Sequence, residues 1–174
     1  RRIAAASIPQ DQSAAHAAAG RLAEQSKRFD KALEHYREAL ALIPSNERAL
    51  MGIGRLLGAR EEWGEVAKLY EAALRSLKRG ANEVPILVAL GEIQWKHLGQ
   101  MDQAEACFRR AKKSSPTAPA ILNFYRDYHL KRDEVPQLFA LLAQAQKAET
   151  DPDTRVRLGI EMAEMAERRP QLLE

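Results

Sequence analysis

The sequence predicts an all-α fold, a solenoid in which antiparallel helix pairs stack on one another. Three observations predict it. Alanine, which has the highest helix propensity, occurs 30 times, whereas valine, isoleucine and threonine, which favour strands, together occur 16 times. Apolar residues recur at steps of three and four, which is the spacing of one helical face. The whole pattern repeats at an interval of roughly 34 residues, which fits two helices and a turn per copy.

The first copy shows both helices of a pair. An Ala-rich helix is predicted over about 13–26, and a second over about 29–42. The second helix should end before Pro44, because proline cannot extend a helix and disfavours helix in the residue before it. Ser45 or Asn46 is then expected to cap the next helix.

Two further copies follow the first. Six positions recur one repeat interval later, as the pairs Gly20 and Gly54, Arg21 and Arg55, Leu22 and Leu56, Tyr36 and Tyr70, Ala39 and Ala73, and Leu40 and Leu74. The third copy follows the second at a slightly longer offset, as Gly91 and Phe108 show against Gly54 and Tyr70. This offset indicates about three extra residues near 80–83 and one more between the paired helices, in loops where added length is tolerated.

The rest of the chain departs from this pattern. The second helix of the fourth unit lacks the small and aromatic residues of the other copies, and Pro136 is expected in its first turn. A fifth first helix is predicted over about 153–167, followed at 170–174 by the opening of its partner. The predicted organisation is a lead-in at 1–12 that is partly helical or disordered, repeats at 13–46, 47–83 (with a loop) and 84–116, a degenerate repeat at 117–150 and an incomplete repeat at 151–174, about four and a half repeats in all.

Small residues recur inside the predicted helices and face large ones. Glycine within a helix costs about 1 kcal/mol relative to alanine, so its recurrence indicates a packing role. We expect the glycines and alanines to allow close approach, and the aromatic residues to fill the space between one pair and the next. The residues concerned are Gly20, Gly54, Gly91, Ala32 and Ala104, with Tyr36, Tyr70 and Phe108.

Composition excludes several classes of protein. Of the 174 residues, 45% are hydrophobic and 29% are charged, which argues against a disordered or collagen-like chain. No apolar run approaches the roughly 20 residues of a membrane helix, so membrane insertion is not expected. The net charge of +3 is too small to indicate a nucleic-acid partner, so we do not expect the chain to bind nucleic acid. A single cysteine, Cys107, excludes an internal disulfide, and this fits a cytoplasmic location.

The repeating residues resemble the tetratricopeptide repeat (TPR) family. The resemblance rests on Phe29-Asp30-Lys31-Ala32, Tyr36, Ala39-Leu40 and Pro44 in the first copy, and on Leu90-Gly91, Trp95, Gly99, Ala104, Phe108, Ala111 and Pro116 in the third. The second copy departs from the family pattern at Val66, where a small residue is usual. The resemblance covers about residues 13–116. It implies a right-handed superhelical solenoid with an extended concave surface. High usage of Ala, Arg and Leu suggests a bacterial source, and the start Arg1-Arg2-Ile3-Ala4, which lacks an initiator Met, suggests a fragment or processed piece whose native N-terminus is not visible.

No pattern in the sequence predicts catalysis, a cofactor or a metal site. The four histidines, His16, His35, His97 and His129, are scattered singly and are interpreted as surface or packing residues. Gly52 and Gly54 lie in a helical pattern and not after a strand, so they do not predict a phosphate-binding loop. Cys107 is interpreted as a buried, inert thiol. We therefore expect a protein that is not an enzyme.

The resemblance implies a protein-protein interaction scaffold that binds a partner peptide or domain in the concave groove lined by the first helices. In the repeat alignment Arg21, Arg55 and Arg126 occupy equivalent places, and three arginines on one face suit an acidic segment held by bidentate hydrogen bonds. The alternative interpretation is that these arginines are ordinary solvated charges. Other groove candidates are Ala17, Glu24, Arg48, Met51, Val88, Leu122, Asn123 and His129.

Two further functions stay open at this point. A self-association module would use the exposed terminal helix, for which Met162, Met165, Leu172 and Leu173 are the candidate contacts. RNA binding through an arginine-rich face is the weaker alternative, because glutamate and aspartate are interspersed along that face.

Overall fold

The computed structural model describes residues 2–77 and 83–173. In this part of the chain there are nine α-helices and a final 3₁₀ turn. The helices are α1 (Arg2–Gln25), α2 (Phe29–Leu42), α3 (Glu47–Gly58), α4 (Trp63–Ser76), α5 (Val84–Lys96), α6 (Met101–Lys112), α7 (Pro119–Lys131), α8 (Val135–Ala148) and α9 (Pro152–Arg168), followed by the turn at Pro170–Leu173. None of the helices in these two ranges is both long enough and apolar enough to cross a membrane.

The helices form the predicted solenoid of antiparallel pairs. Each helix packs against the next one in the chain, and contacts that skip a helix join α1 to α3 and α5 to α7. The odd-numbered helices therefore lie side by side as the first helices of successive repeats. The even-numbered helices are the second members of the pairs.

Most helix bounds agree with the sequence, but the first helix is longer than predicted. It begins at Arg2 and not near Ser13, so residues 2–12 of the expected lead-in are helical. Helix α2 ends at Leu42, just before Pro44, as predicted. Asn46 caps α3, its side chain accepting a hydrogen bond from the Ala49 backbone N–H at 3.1 Å. Most of the predicted insertion near 80–83 lies outside the described residues.

The same turn closes every first helix of the four complete pairs. One residue in each turn has a positive φ, at Lys27, Glu61, Gly99 and Asp133. In the first, second and fourth turns, the next backbone N–H donates to the carbonyl oxygen five residues earlier. In the third turn, the Gln100 N–H donates to the Gln94 carbonyl oxygen, six residues earlier, at 2.8 Å. The extra residue predicted in the third repeat therefore lies in this turn, and the degenerate fourth repeat keeps the ordinary turn.

Glycine makes room for an aromatic ring in the first half of the core. Tyr36 of α2 is fully buried between Gly20 of α1 and Gly52 of α3. A Cβ atom at Gly20 would lie 2.7 Å from the Tyr36 ring, and one at Gly52 would lie closer still. The predicted pairing of glycines with aromatic residues is thus confirmed. What lies close to the two glycines is the Tyr36 ring itself.

The fourth repeat is degenerate because it reverses the sizes of two core residues. Tyr125 on α7 occupies the place held by glycine in the neighbouring repeats, and Leu142 on α8 occupies the place of Tyr36, Tyr70 and Phe108. Both Tyr125 and Leu142 are buried in one core cluster. A large residue on the first helix and a smaller one on the second fill the same interface in the opposite order.

Candidate partner-binding groove

A hollow of about 600 Å³ lies between the first helices of the first two repeats. Its wall on α1 carries Ala17, Ala18, Arg21, Leu22 and Gln25, and its wall on α3 carries Arg48, Met51, Gly52 and Arg55, with Tyr36 behind them. Small residues, Ala17 and Ala18 on α1 and Gly52 on α3, leave space in both walls. Five of the predicted groove residues, Ala17, Arg21, Arg48, Met51 and Arg55, are brought together here.

A second hollow continues along the same layer of helices. It measures about 370 Å³ and lies between α3 and α5, next to Tyr70 and Pro85. Met51 and Arg55 line both hollows, so these two side chains form the ridge between them. Met51 is 58% exposed, so its apolar side chain is accessible to a ligand in either hollow.

Arg55 is held by a carboxylate of the preceding repeat. Its guanidinium donates two hydrogen bonds to Glu24, at 2.8 and 2.7 Å, and the Tyr36 hydroxyl donates a third at 2.9 Å. The hydrogen bond from Arg55 lowers the pKa of Glu24 below its ordinary value. Burial and the hydrogen bond to Glu24 raise the pKa of Tyr36 to about 12. This cluster joins α1, α2 and α3 and fixes the Arg55 guanidinium at the edge of the hollow.

Arg21 and Arg48 lie on opposite walls of the first hollow, and both are exposed. Neither forms an ion pair or a side-chain hydrogen bond with another of the described residues. Among the described side chains that line this hollow, none is acidic. Its surface therefore combines apolar atoms with guanidinium groups, and this combination suits a ligand that carries both a carboxylate and an apolar group.

Three further predicted groove residues, Arg126, Asn123 and His129, lie on α7, outside this hollow, and have partners within the chain. Arg126 donates to both carboxylate oxygens of Glu161 on α9, each at 2.7 Å, and also to Asn123 at 2.9 Å. The hydrogen bond to Glu161 raises the pKa of Arg126 further. His129 lies 2.9 Å from a Glu134 oxygen and stacks on the Tyr125 ring. Arg126 therefore lies outside the hollow that Arg21 and Arg55 line, and its guanidinium is already paired with Glu161.

Several other candidates are less accessible than the sequence suggested. Ala17 and Leu122 are buried, and Val88 is partly buried against the core. Met162 and Met165, predicted as contacts for self-association, also pack partly against the core. The exposed apolar side chains of α9 are instead Val156 and Ile160.

The sequence interpretation missed the carboxylates that hold the arginines. Glu24 lies 31 residues before Arg55, and Glu161 lies 35 residues after Arg126. Both separations are close to the repeat length, so each joins neighbouring first helices. An acidic residue about one repeat away from an arginine is therefore the signal that could have identified these pairs.

The sequence suggested that the four histidines are isolated from one another, but two of them lie close together in the structure. His16 on α1 and His35 on α2 approach each other with ring centroids 5.7 Å apart, next to Glu38. The two histidines come from different helices with a turn between them, so no helical motif in the sequence reveals their proximity. Cys107 is partly buried, and burial raises the pKa of its thiol to about 11, as expected for an inert thiol.

Comparisons with known proteins agree with the helix-pair repeat. Two family models described as tetratricopeptide repeat match residues 13–46 and 84–117. The crystal structure of YrrB, described as a TPR protein with an unusual peptide-binding site, is similar with a TM-score of 0.54. The identity is 18%, and the match covers 88% of this chain and 86% of the YrrB chain, so the likeness indicates a shared fold. No curated protein sequence matches the chain.

Proposed function

Because the chain belongs to the tetratricopeptide repeat family, we propose that it is a protein-interaction scaffold whose groove between α1, α3 and α5 binds an acidic peptide segment of a partner protein. The single observation that carries this proposal is the 600 Å³ hollow with two exposed arginines, Arg21 and Arg48, on facing walls. No part of the proposal requires catalysis or a cofactor.

The chemistry of the hollow favours a particular kind of segment. A carboxylate of the peptide accepts hydrogen bonds from Arg21 or Arg48, and such charge-assisted bonds between exposed groups contribute up to about 1 kcal/mol each. An apolar side chain of the peptide packs against Leu22 and Met51, which are 64% and 58% exposed. Burial of these two side chains adds a hydrophobic contribution that does not depend on salt.

Arg55 has a different role in this proposal. Its guanidinium is already paired with Glu24 through two hydrogen bonds, so we assign it to positioning the groove walls and not to holding the ligand. The similarity to YrrB supports a peptide as the ligand, because YrrB is described as having a peptide-binding site. We leave Arg126 and Asn123 out of the binding surface because their side chains are hydrogen-bonded to each other. Arg126 is also hydrogen-bonded to Glu161.

The proposal is tested by selecting binders to the purified chain from a random peptide library. We expect the recovered peptides to be enriched in aspartate and glutamate around one apolar residue. Fluorescence anisotropy with one recovered peptide should then show binding at least about tenfold weaker in the Arg21→Glu/Arg48→Glu variant, since about 1.4 kcal/mol corresponds to a factor of ten. Added salt should weaken the wild-type complex.

The matched control is Arg75→Glu/Arg109→Glu, which makes the same charge change on the second helices α4 and α6, where these side chains are 72% and 65% exposed. Binding should be unchanged in this variant. The proposal is wrong if the selected peptides have no acidic bias, or if both double variants weaken binding equally. Light scattering across a dilution series identifies the alternative outcome, in which the chain binds a second copy of itself.

A further inference from the structure

A second cluster of polar side chains lies on the first helix pair, away from the groove. His16 of α1 and His35 and Glu38 of α2 converge there, and one ligand atom from each lies within 4.8 Å of the others. The Nδ1 atoms of His16 and His35 are 2.7 and 3.4 Å from the same oxygen of Glu38. Two imidazole nitrogens and a carboxylate oxygen therefore lie close together at one place on the surface of the first helix pair.

The histidine nitrogen on α2 lacks the partner that a buried polar atom needs. The Nδ1 atom of His35 is buried, yet it forms no hydrogen bond with Glu38 or with any other described residue. A buried nitrogen without a partner is unfavourable, and most such atoms in folded proteins bind a hydrogen-bond partner or an ion. The lone pair of a neutral imidazole is well suited to a metal ion.

From this arrangement we propose that His16, His35 and Glu38 form a binding site for a divalent transition-metal ion, with Zn²⁺ as its favoured occupant. Zn²⁺ binds imidazole nitrogen and carboxylate oxygen at about 2.0–2.2 Å, which places its ligand atoms about 3.3 Å apart. The separations of 2.7 and 3.4 Å between the histidine Nδ1 atoms and the Glu38 oxygen bracket that value, and with all ligand atoms within 4.8 Å of one another a small movement of the side chains suffices. Glu38 is 56% exposed, so its side chain can rotate to admit the ion without disturbing the core.

The surroundings of the cluster leave room for an ion with an open coordination position. The three side chains line a hollow of about 630 Å³, together with Gln12, Ala15 and Ala19 of α1 and Ala41 and Leu42 of α2. Three protein ligands and an open fourth position are typical of Zn²⁺ sites that bind a further ligand. The mixed nitrogen and oxygen donors disfavour Ca²⁺ and Mg²⁺, which prefer oxygen alone.

The site would join two helices of one repeat. His16 comes from α1, whereas His35 and Glu38 lie one turn apart on α2 and therefore on one face of that helix. A bound ion would cross-link α1 to α2 and stabilise the folded chain, because an ion that binds the folded state alone shifts unfolding by mass action. None of these residues lines the proposed peptide groove, so the two proposals are independent.

The test is calorimetric titration of the full chain, free of any affinity tag, with ZnCl₂. We expect saturable binding of one Zn²⁺ per chain and an increase in melting temperature that EDTA reverses. In His35→Gln and Glu38→Gln the affinity should fall by more than about tenfold, since the loss of a residue that only orients a ligand already weakens metal binding about 10- to 100-fold. Co²⁺ provides a second probe, because its visible absorption reports nitrogen and oxygen ligation.

His97→Gln is the matched control, since it removes a histidine that stacks on Trp63, outside the cluster. This variant should bind Zn²⁺ as the wild type does, with one ion per chain. Circular dichroism establishes that every variant is equally helical. The proposal fails if the wild type shows no saturable binding, or if His16→Gln/His35→Gln binds Zn²⁺ as tightly as the wild type.

Discussion

The first and fourth repeats carry an arginine at the same position of their first helix, but the two arginines have different surroundings. Arg21 is exposed on the wall of a 600 Å³ hollow, whereas Arg126 is 29% exposed and bonded twice to Glu161. The hollow beside Arg21 is lined by alanine and glycine. Around Arg126 the chain has aromatic residues, among them Tyr125 and Tyr128, which pack against Phe124.

The difference shows that the position of an arginine in the repeat does not decide its role. Side-chain volume between neighbouring first helices decides whether a hollow forms, and an acidic residue one repeat away decides whether the arginine is already paired. The hollow beside Arg21 is open and this arginine is unpaired among the described residues, whereas Arg126 packs near aromatic rings and is already paired with Glu161. Three kinds of change test this contrast, in order of decreasing expected effect.

Removing the central ring of the second half should have the largest effect. Phe124 is fully buried and stacks on Phe108 with ring centroids 4.3 Å apart. Phe124→Ala should lower the free energy of unfolding by about 3–5 kcal/mol, because it leaves a cavity in a packed core. Beside the open hollow, Leu22→Ala should change it by less than about 0.5 kcal/mol, since Leu22 is 64% exposed. Urea denaturation measures both, and equal losses would contradict the assignment of Phe124 to a packed core and of Leu22 to an exposed wall.

Filling the small-residue interface of the first half should have an intermediate effect. Gly52→Ala places a Cβ against the buried Tyr36 ring, and overpacking of this kind costs about 1–3 kcal/mol. That loss should exceed the gain of about 1 kcal/mol in helix propensity. Thermal or urea unfolding gives the sign of the change.

Gly64 on α4 is the matched control for Gly52. A Cβ atom there meets nothing within 4 Å, so Gly64→Ala should stabilise the chain by up to about 1 kcal/mol. Stabilisation by both alanine substitutions would mean that Tyr36 shifts easily and that Gly52 is not needed for its packing.

The smallest effect is expected for the ion pair at the edge of the groove. Glu24→Gln should lower the free energy of unfolding by about 1 kcal/mol at pH 7, a modest value because Arg55 is 58% exposed. The pKa of Glu24 is lowered in the folded chain, so its contribution is present above the ordinary value of 4.5 and is lost as the pH falls below it. The difference between wild type and Glu24→Gln should therefore narrow between about pH 6 and pH 3.

Glu161→Gln removes the carboxylate of the corresponding ion pair in the second half of the chain. It breaks the pair with Arg126 and should cost a similar, small amount of stability. It should leave binding of a groove peptide unchanged, because Glu161 and Arg126 lie outside the hollow. Weaker peptide binding in this variant would place Arg126 on the binding surface after all.

The repeat itself could be predicted because each of its features is local in the sequence. The helix end at Leu42 and the cap at Asn46 depend on residues a few positions away, and the repeat interval appears as repeated letters. The turn after each first helix was less visible, because three of its four positive-φ positions carry Lys27, Glu61 and Asp133 where glycine would have been recognised. Backbone hydrogen bonds and helix packing impose that conformation.

Helix pairs, the length of each repeat and the residues that separate one pair from the next all follow from the amino-acid sequence, because helix propensity, apolar spacing and capping act over a few residues. Within the described part of the chain, the packing of the helices leaves Arg21 unpaired, pairs Arg55 and Arg126 with carboxylates, and brings His16 next to His35. Those outcomes depend on which side chains of different helices come within about 3 Å of one another, the distance of a hydrogen bond, and no single helix specifies that separation.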